Sequence, residues 1–140
     1  MHTIKTYLPL LGRLLLSSIF IYEGIAQLGN PGGAAKYFAQ VSVPFPDIAI
    51  WISIVIQLVG GFAVLFGFET RWAAALLAVF CLGTAFAVHL PAADTANIIH
   101  FFKNLVMAGG FVYVIGFGAG AVSVDGADDA GAAGAPHRHE

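Results

Sequence analysis

Four long apolar stretches constrain this chain more than any other feature of its sequence. They cover residues 8–28, 48–68, 72–88 and 98–117. The hydrocarbon core of a bilayer is about 30 Å thick, and roughly 20 mainly apolar helical residues span it. Helices of a soluble bundle would each carry a charged stripe, whereas the second stretch holds no charged residue at all. We therefore predict an all-α integral membrane protein, a four-helix bundle with antiparallel up-down topology.

The overall composition agrees with this prediction and narrows the function. Hydrophobic residues make up 59% of the chain and charged residues 10%, whereas soluble domains average about 25% charged residues. The net charge of −2 provides no basic surface for nucleic acid. A single cysteine, Cys81, excludes an intramolecular disulfide or a cysteine-rich metal centre within one chain. We predict no intrinsic cofactor and no metal site, so that any redox chemistry depends on a bound molecule or a partner protein.

The segments outside the spans predict the orientation and the domain limits. Basic residues are more numerous on the side of the chain termini, with Lys5, Arg13, Arg71 and Arg138 against Lys36 and Lys103 on the other side. By the positive-inside rule the termini are cytoplasmic. Residues 29–47 are expected to cover the outer surface as a cap that includes a short interfacial helix. Residues 1–122 form the membrane domain, and the Gly, Ala and Asp-rich tail over 123–140 is predicted to be disordered.

Polar side chains within the spans mark the candidate site. At the outer ends of the spans, helical spacing brings six of them to one membrane level, namely Glu23, Gln27, His89, His100, Lys103 and Asn104. Gln57 lies deeper in the second span. Ionisable groups in a membrane cost about 2.5–3.5 kcal/mol each, so they usually pair or line a functional cavity. We predict that Glu23 and Lys103 form an ion pair.

Structural explanations for the same residues stay open. A buried charge pair can simply fix the register of two helices, and a lysine near a helix end can extend to the interface. The two histidines either contact water at the boundary or transfer protons. Arg13, near the opposite face, is predicted to be a structural polar residue, and together with Gln57 it suggests a polar thread through the bundle.

The order of these residues resembles that of the DoxX family. The shared pattern is Arg13-Leu-Leu-Leu, Phe20, Gly24, Gln27-Leu28, Gln57-Leu-Val-Gly-Gly, Gly67, His89, Lys103-Asn104-Leu and Gly109-Gly110. The resemblance extends from about residue 7 to 125 and implies a multi-pass protein of the bacterial inner membrane. Some members are subunits of a thiosulfate:quinone oxidoreductase, and others are associated with thiol redox chemistry or with quinone and catechol detoxification.

This chain departs from the family pattern at two positions. Family members commonly have lysine where this chain has Gln27 and glutamate where it has Gln57. A neutral hydrogen bond between the two glutamines would replace the charged groups, although their depths differ. Glu23 is a candidate for the missing carboxylate.

Two functional hypotheses follow from the sequence. In the first, the chain is an accessory subunit of a membrane redox complex that binds a quinone or another small molecule. His89, Lys103 and Asn104 then donate hydrogen bonds to the ligand, and a soluble or membrane partner protein supplies electrons. In the second, the chain has no enzymatic activity and serves as a membrane scaffold, alone or as a homo-oligomer, or passes a small solute along the polar thread.

Overall fold

A computed structural model describes residues 2–89 and 94–133. All regular structure in these ranges is helical, with α1 His2–Gly29, α2 Pro31–Gln40, α3 Pro46–Phe66, α4 Thr70–Thr84 and its π-helical continuation Ala85–His89, α5 Thr95–Phe117 and α6 Val124–Ala133. Four of these elements, α1, α3, α4 with its continuation, and α5, are long and apolar enough to cross a membrane. The predicted all-α fold with four spans is confirmed.

The spanning helices pack in chain order, α1 on α3, α3 on α4, and α4 on α5. Small residues permit this packing. Gly60 lies against Leu77, where an added Cβ would come within 3.0 Å of the leucine side chain. Ala74 and Cys81 are fully buried on the facing helix. Close backbone approach at small residues replaces the hydrophobic effect, which does not drive helix association within a lipid bilayer.

Each side of the bundle has a distinct structure. The lid side, as we call it, carries α2, the end of α1 and the start of α5. The turn side carries the tight connection between α3 and α4. That connection requires Gly67, whose φ of 69° lies in the left-handed region. Which side faces the cytoplasm stays a prediction from the distribution of basic residues.

Helices α1 and α5 meet near mid-membrane and then separate toward the lid side. Their contact is formed by Leu16 against Gly110, and by the rings of Phe20 and Phe111 with centroids 5.4 Å apart. Beyond it, α1 packs chiefly on α3 and α5 chiefly on α4. Val106 lies on α5 four residues before Gly110, toward the lid side, and is 75% exposed. Because Ile19 of α1 and Phe102 and Val106 of α5 are exposed, we infer a gap between the two helices on the side that a bilayer would cover.

The C-terminal segment differs from its predicted disorder over residues 124–133, which form α6. The Asp125 carboxylate accepts hydrogen bonds from the backbone N–H groups of Glu69 and Thr70, both at 2.9 Å, and one from the Thr70 hydroxyl. The Asp125 N–H donates to the Gly67 carbonyl at 2.8 Å. These contacts, which supply acceptors to the first N–H groups of α4, hold α6 against the turn side. Residues 134–140 of the predicted tail lie outside the described part of the chain.

We predict that this attachment weakens in acid. Partial burial acts to raise the pKa of Asp125, but the hydrogen bonds from Thr70 and Glu69 and the charge of Arg13 outweigh it and hold the pKa below its ordinary value of 3.8. A carboxyl group with a lowered pKa stabilises the fold above its ordinary pKa, and that stabilisation is lost as the pH falls through the lowered value. The protection of the backbone N–H groups over 124–128 against hydrogen exchange, corrected for the intrinsic exchange rate at each pH, should therefore fall below pH 3.8.

The matching variant is Asp125→Asn, which should accelerate the same exchange at neutral pH. We expect a loss of roughly 1 kcal/mol, because solvent screens this partly exposed carboxylate. Asp128→Asn is the control, since it makes the same charge change at an exposed position of α6. Equal exchange rates in both variants would contradict the assigned role of Asp125.

Candidate functional site

A cavity of about 860 Å³ occupies the lid side of the bundle. All four spanning helices and α2 contribute to its wall, which consists of Ile19, Phe20, Glu23, Ala26, Gln27, Ala34, Tyr37, Phe38, Ser53, Gln57, Phe80, Thr84, Ile99, His100, Phe102, Lys103, Asn104, Val106 and Met107. Phe20 and Phe80 pack edge to face at its inner end, with centroids 6.5 Å apart. The cavity is therefore closed toward mid-membrane by aromatic rings and open through the gap between α1 and α5.

The structure brings most of the predicted site residues to this cavity. Those that line it are Glu23, Gln27, Gln57, His100, Lys103 and Asn104. His89 is the last residue of the π-helical turn, and its side chain falls outside the described residues. Glu23 on α1 and Lys103 on α5 face the same space from the two helices that separate. Their direct ion pair, and the role of each residue in binding, stay predictions.

A hydrogen-bonded triad forms the most buried polar part of the wall. The Gln57 amide nitrogen donates to the Gln27 carbonyl oxygen at 3.0 Å and to the Ser53 hydroxyl at 2.8 Å. The Ser53 hydroxyl in turn donates to the same Gln27 oxygen at 3.2 Å. Gln57 is only 1% exposed, and its own carbonyl oxygen accepts no hydrogen bond. The triad thus presents one unsatisfied buried acceptor.

The contact between Gln27 and Gln57 agrees with the predicted neutral replacement of a charged pair. It depends on the close approach of α1 to α3 at Gly24. A Cβ added there would lie 2.8 Å from the Leu58 side chain and 3.4 Å from Cβ of Gln57. Sequence reasoning missed Ser53 as a member of this network, although its position four residues before Gln57 places both side chains on one helix face.

Helix α2 covers the cavity and is attached at two places. Ala35 is buried among Ile50 and Ile54 of α3. On the opposite edge, the Tyr37 hydroxyl donates a hydrogen bond of 3.4 Å to the side-chain oxygen of Asn97, near the start of α5. Helix α2 therefore connects α3 with the start of α5, and Tyr37 adds a polar group that the sequence did not single out.

The start of α5 is fixed by its capping residue. The Asp94 carboxylate accepts a hydrogen bond of 2.8 Å from the backbone N–H of Asn97. That bond, followed by one from the Asn97 side chain, lowers the pKa of Asp94. A capped helix start fixes the first three turns of α5, from which His100 and Lys103 line the cavity.

Arg13 belongs to the turn side and not to the cavity. Its side chain is 2% exposed, and Nη1 donates to the carbonyl oxygens of Val64 at 3.2 Å and Leu65 at 3.0 Å, while Nη2 donates to the Val122 carbonyl. Val64 and Leu65 lie in the last turn of α3, where carbonyl groups lack the N–H partner four residues further on that the helix interior provides, and the Val64 carbonyl also accepts the N–H of Gly67. The placement agrees with a structural role for this arginine.

The predicted polar thread through the bundle is not present between Arg13 and the cavity. An apolar cluster that includes Phe20, Leu77 and Phe111 fills the space between them. Each of the three is at most 2% exposed. The positions of the polar residues along the spans had suggested a continuous row of polar groups. Large apolar side chains from three helices interrupt that row.

Metal ligation finds no support among the described residues. Within the ranges 2–89 and 94–133, no group of three or more His, Cys, Asp or Glu side chains is placed to hold a metal ion. Cys81 is fully buried in the apolar cluster and packs as a small hydrophobic residue.

Comparison with known proteins places this architecture in a family. The DoxX family model matches residues 8–90. The chain is 36% identical to "Inner membrane protein YqjF" of Escherichia coli (strain K12) over 116 residues, covering 83% of this chain and 88% of the relative. It is 32% identical to "Inner membrane protein YphA" of the same organism over 126 residues, or 86% of this chain and 90% of the relative.

A third relative carries a functional name. The chain is 30% identical to "Putative oxidoreductase CatD" of Bacillus subtilis (strain 168) over 88 residues, covering 63% of this chain and 64% of the relative. No solved structure matches the chain. Four membrane-spanning helices, the family match and two inner-membrane relatives lead to one conclusion. The chain belongs to the DoxX family and is a multi-pass protein of the inner membrane.

Proposed function

We propose that this DoxX protein binds a quinone-like lipophilic molecule in the lid-side cavity, as an accessory subunit of a membrane redox complex. The main support for the proposal is that the cavity is open through the gap between α1 and α5. A ligand can reach the cavity from the lipid through this gap without crossing water. Quinones of bacterial membranes reside in the hydrocarbon, so a lateral opening suits their route to a protein site.

The size and the chemistry of the wall support the same ligand class. A volume of about 860 Å³ lies within the usual range of roughly 300–1,000 Å³ for small-molecule sites. Such sites combine apolar walls with a few convergent polar groups. Here Phe20, Phe80 and Phe102 supply the apolar and aromatic surface, and Lys103 and Asn104 supply donors for the oxygen atoms of a ring.

The redox role rests on the relative named as an oxidoreductase. We propose that this chain contributes the ligand site and that a partner protein supplies the electrons. The protein in this arrangement binds and orients the ring, and the ring carries the redox chemistry. Glu23, His100 and Lys103 are then groups that exchange protons with a bound ring, because their side chains line the cavity.

The experiment is an equilibrium binding titration in lipid nanodiscs. Purified protein in nanodiscs and matched empty nanodiscs are titrated with a radiolabelled short-chain ubiquinone analogue. We expect a saturable component of one quinone per chain above the partition into lipid. Identical, non-saturable uptake by loaded and empty nanodiscs would contradict the proposal.

A further inference from the structure

Asn104 combines burial with a side-chain amide that is accessible and without a protein partner. It is 8% exposed and lines the cavity from α5. Within the residues that the structure describes, its amide makes no hydrogen bond. In the same ranges, the side-chain polar atoms that are both inaccessible and unbonded are Arg13 Nε and the Gln57 carbonyl oxygen. Both amide atoms of Asn104 therefore keep accessible surface, and a ligand in the cavity can contact them.

The other polar side chains of the described wall depend less on what fills the cavity. One group is hydrogen-bonded within the protein, namely Gln27, Ser53, Gln57, Tyr37 and Thr84. A second group is exposed and can be hydrated with or without a ligand, namely Glu23, His100 and Lys103. A ligand that displaces water from Asn104 must replace the lost hydrogen bonds, because an unsatisfied buried amide is costly.

Asn104 lies near the point where α1 and α5 separate. Gly110 of α5 meets Leu16 of α1 at the crossing of the two helices. Asn104 precedes Gly110 by six residues, which places it about 9 Å nearer the lid side. A ring that enters through the gap from the lipid therefore reaches Asn104 without passing the crossing.

The Asn104 amide can present either of its polar atoms to such a ring. An amide carbonyl accepts hydrogen bonds, whereas the amide NH₂ group donates them. Rotation about the last side-chain torsion exchanges the two, and this torsion of asparagine is broad and roughly two-fold. The amides of Gln27 and Gln57 hold each other in place. No such bond from the described residues holds Asn104, so the ligand sets its orientation.

We propose that Asn104 anchors the ring in both oxidation states, so that the site binds quinone and quinol with similar affinity. The NH₂ group donates to a carbonyl of the oxidised ring, and after rotation the amide carbonyl accepts from a hydroxyl of the reduced ring. Similar affinity for the two forms leaves the redox potential of the bound couple near that of the free couple, by thermodynamic linkage. This inference rests on the proposed function and adds the anchoring residue and the ligand forms.

The test measures the affinity for one short-chain ubiquinone analogue in each oxidation state, under anaerobic conditions in nanodiscs. The wild-type protein should bind the two forms within about threefold of each other, which corresponds to a potential shift of at most about 14 mV for a two-electron couple. Asn104→Leu should lower the affinity for both forms about fivefold, because each form loses one neutral hydrogen bond.

Gln40→Leu is the matched control for this variant. It replaces an amide with the same apolar side chain at an exposed position of α2 that does not line the cavity. Its affinities for both forms should equal those of the wild-type protein. Thermal unfolding of both variants reports whether the bundle is intact.

The outcomes separate this inference from the proposed function. A wild-type preference beyond threefold, or an Asn104→Leu variant that loses affinity for one form only or for neither, would overturn the role of Asn104 and leave quinone binding in place. Absence of saturable binding of either form would overturn both. Should Asn104→Leu fail to fold, a potentiometric titration of the wild-type protein with bound ligand decides the matter, because a midpoint shift above about 14 mV contradicts the inference.

Discussion

Replacing Gly67 with alanine is expected to cost about 2–5 kcal/mol of stability, a large effect for one added methyl group. Two causes add. The backbone at Gly67 has a φ of 69°, which an alanine adopts only with strain of roughly 1–2 kcal/mol. The added Cβ would also lie 2.6 Å from the Arg13 Nη1 atom and would overlap Cβ of Ser123. Overpacking of a filled site typically costs about 1–3 kcal/mol.

The measurement is thermal unfolding in detergent, with Gly116→Ala as the matched control. Gly116 lies within α5, and a Cβ added there meets nothing within 4 Å. The control should unfold near the wild-type temperature, while Gly67→Ala should unfold well below it and lose the contact between Asp125 and the turn. Similar unfolding temperatures for the two variants would show that the turn side is not assembled as described.

Ala26→Phe is expected to lower the affinity for a quinone analogue at least tenfold. Ala26 lines the cavity from α1, next to Gln27. A benzyl group that points from there into the cavity occupies volume that the ligand needs. A tenfold loss corresponds to about 1.4 kcal/mol, which is a low estimate for a blocked site.

The neighbouring change Ile25→Phe provides the control for this prediction. Ile25 is 56% exposed and does not line the cavity, so a ring at this position enters lipid. The same nanodisc titration should give wild-type affinity for Ile25→Phe and weak binding for Ala26→Phe. Equal affinities in the two variants would place the ligand outside this cavity.

The spanning helices could be predicted from sequence because the bilayer imposes both a length and a composition on them. The stretch 48–68 has no charged residue and therefore no charged face, which left few alternatives to a membrane-spanning helix. The structure places α3 at Pro46–Phe66, within two residues of that prediction at each end. The cap over residues 29–47 also contains the expected short helix, at Pro31–Gln40.

The cavity was only partly predictable. Helical spacing and depth brought Lys103 and Asn104 to the level of Gln27, and in the structure all three line the same cavity. The same reasoning gave no information about the gap between α1 and α5, because that gap depends on where two helices cross. The contact of Leu16 with Gly110 fixes this crossing, and it becomes visible only in three dimensions.

Two predictions failed for a common reason. The position of a residue along the chain does not reveal its contacts with residues that are distant in the sequence. The polar thread assumed that Gln57 and Arg13 share a path, but Phe20 and Phe111 close the space between them. The tail was predicted to be disordered because it lacks hydrophobic periodicity. Its helix is held instead by one carboxylate, Asp125, at the start of a helix more than fifty residues earlier in the chain.

The most direct test of the central claim is to locate a photoactivatable quinone analogue on the protein in native membranes. After illumination and digestion, mass spectrometry identifies the labelled segments. The cavity predicts labels on α1 between Ile19 and Gln27 and on α5 between Ile99 and Met107, removed by an excess of unlabelled quinone. Labels confined to the lipid-facing surface of α3, around Val59 and Phe66, and insensitive to competition would contradict the account.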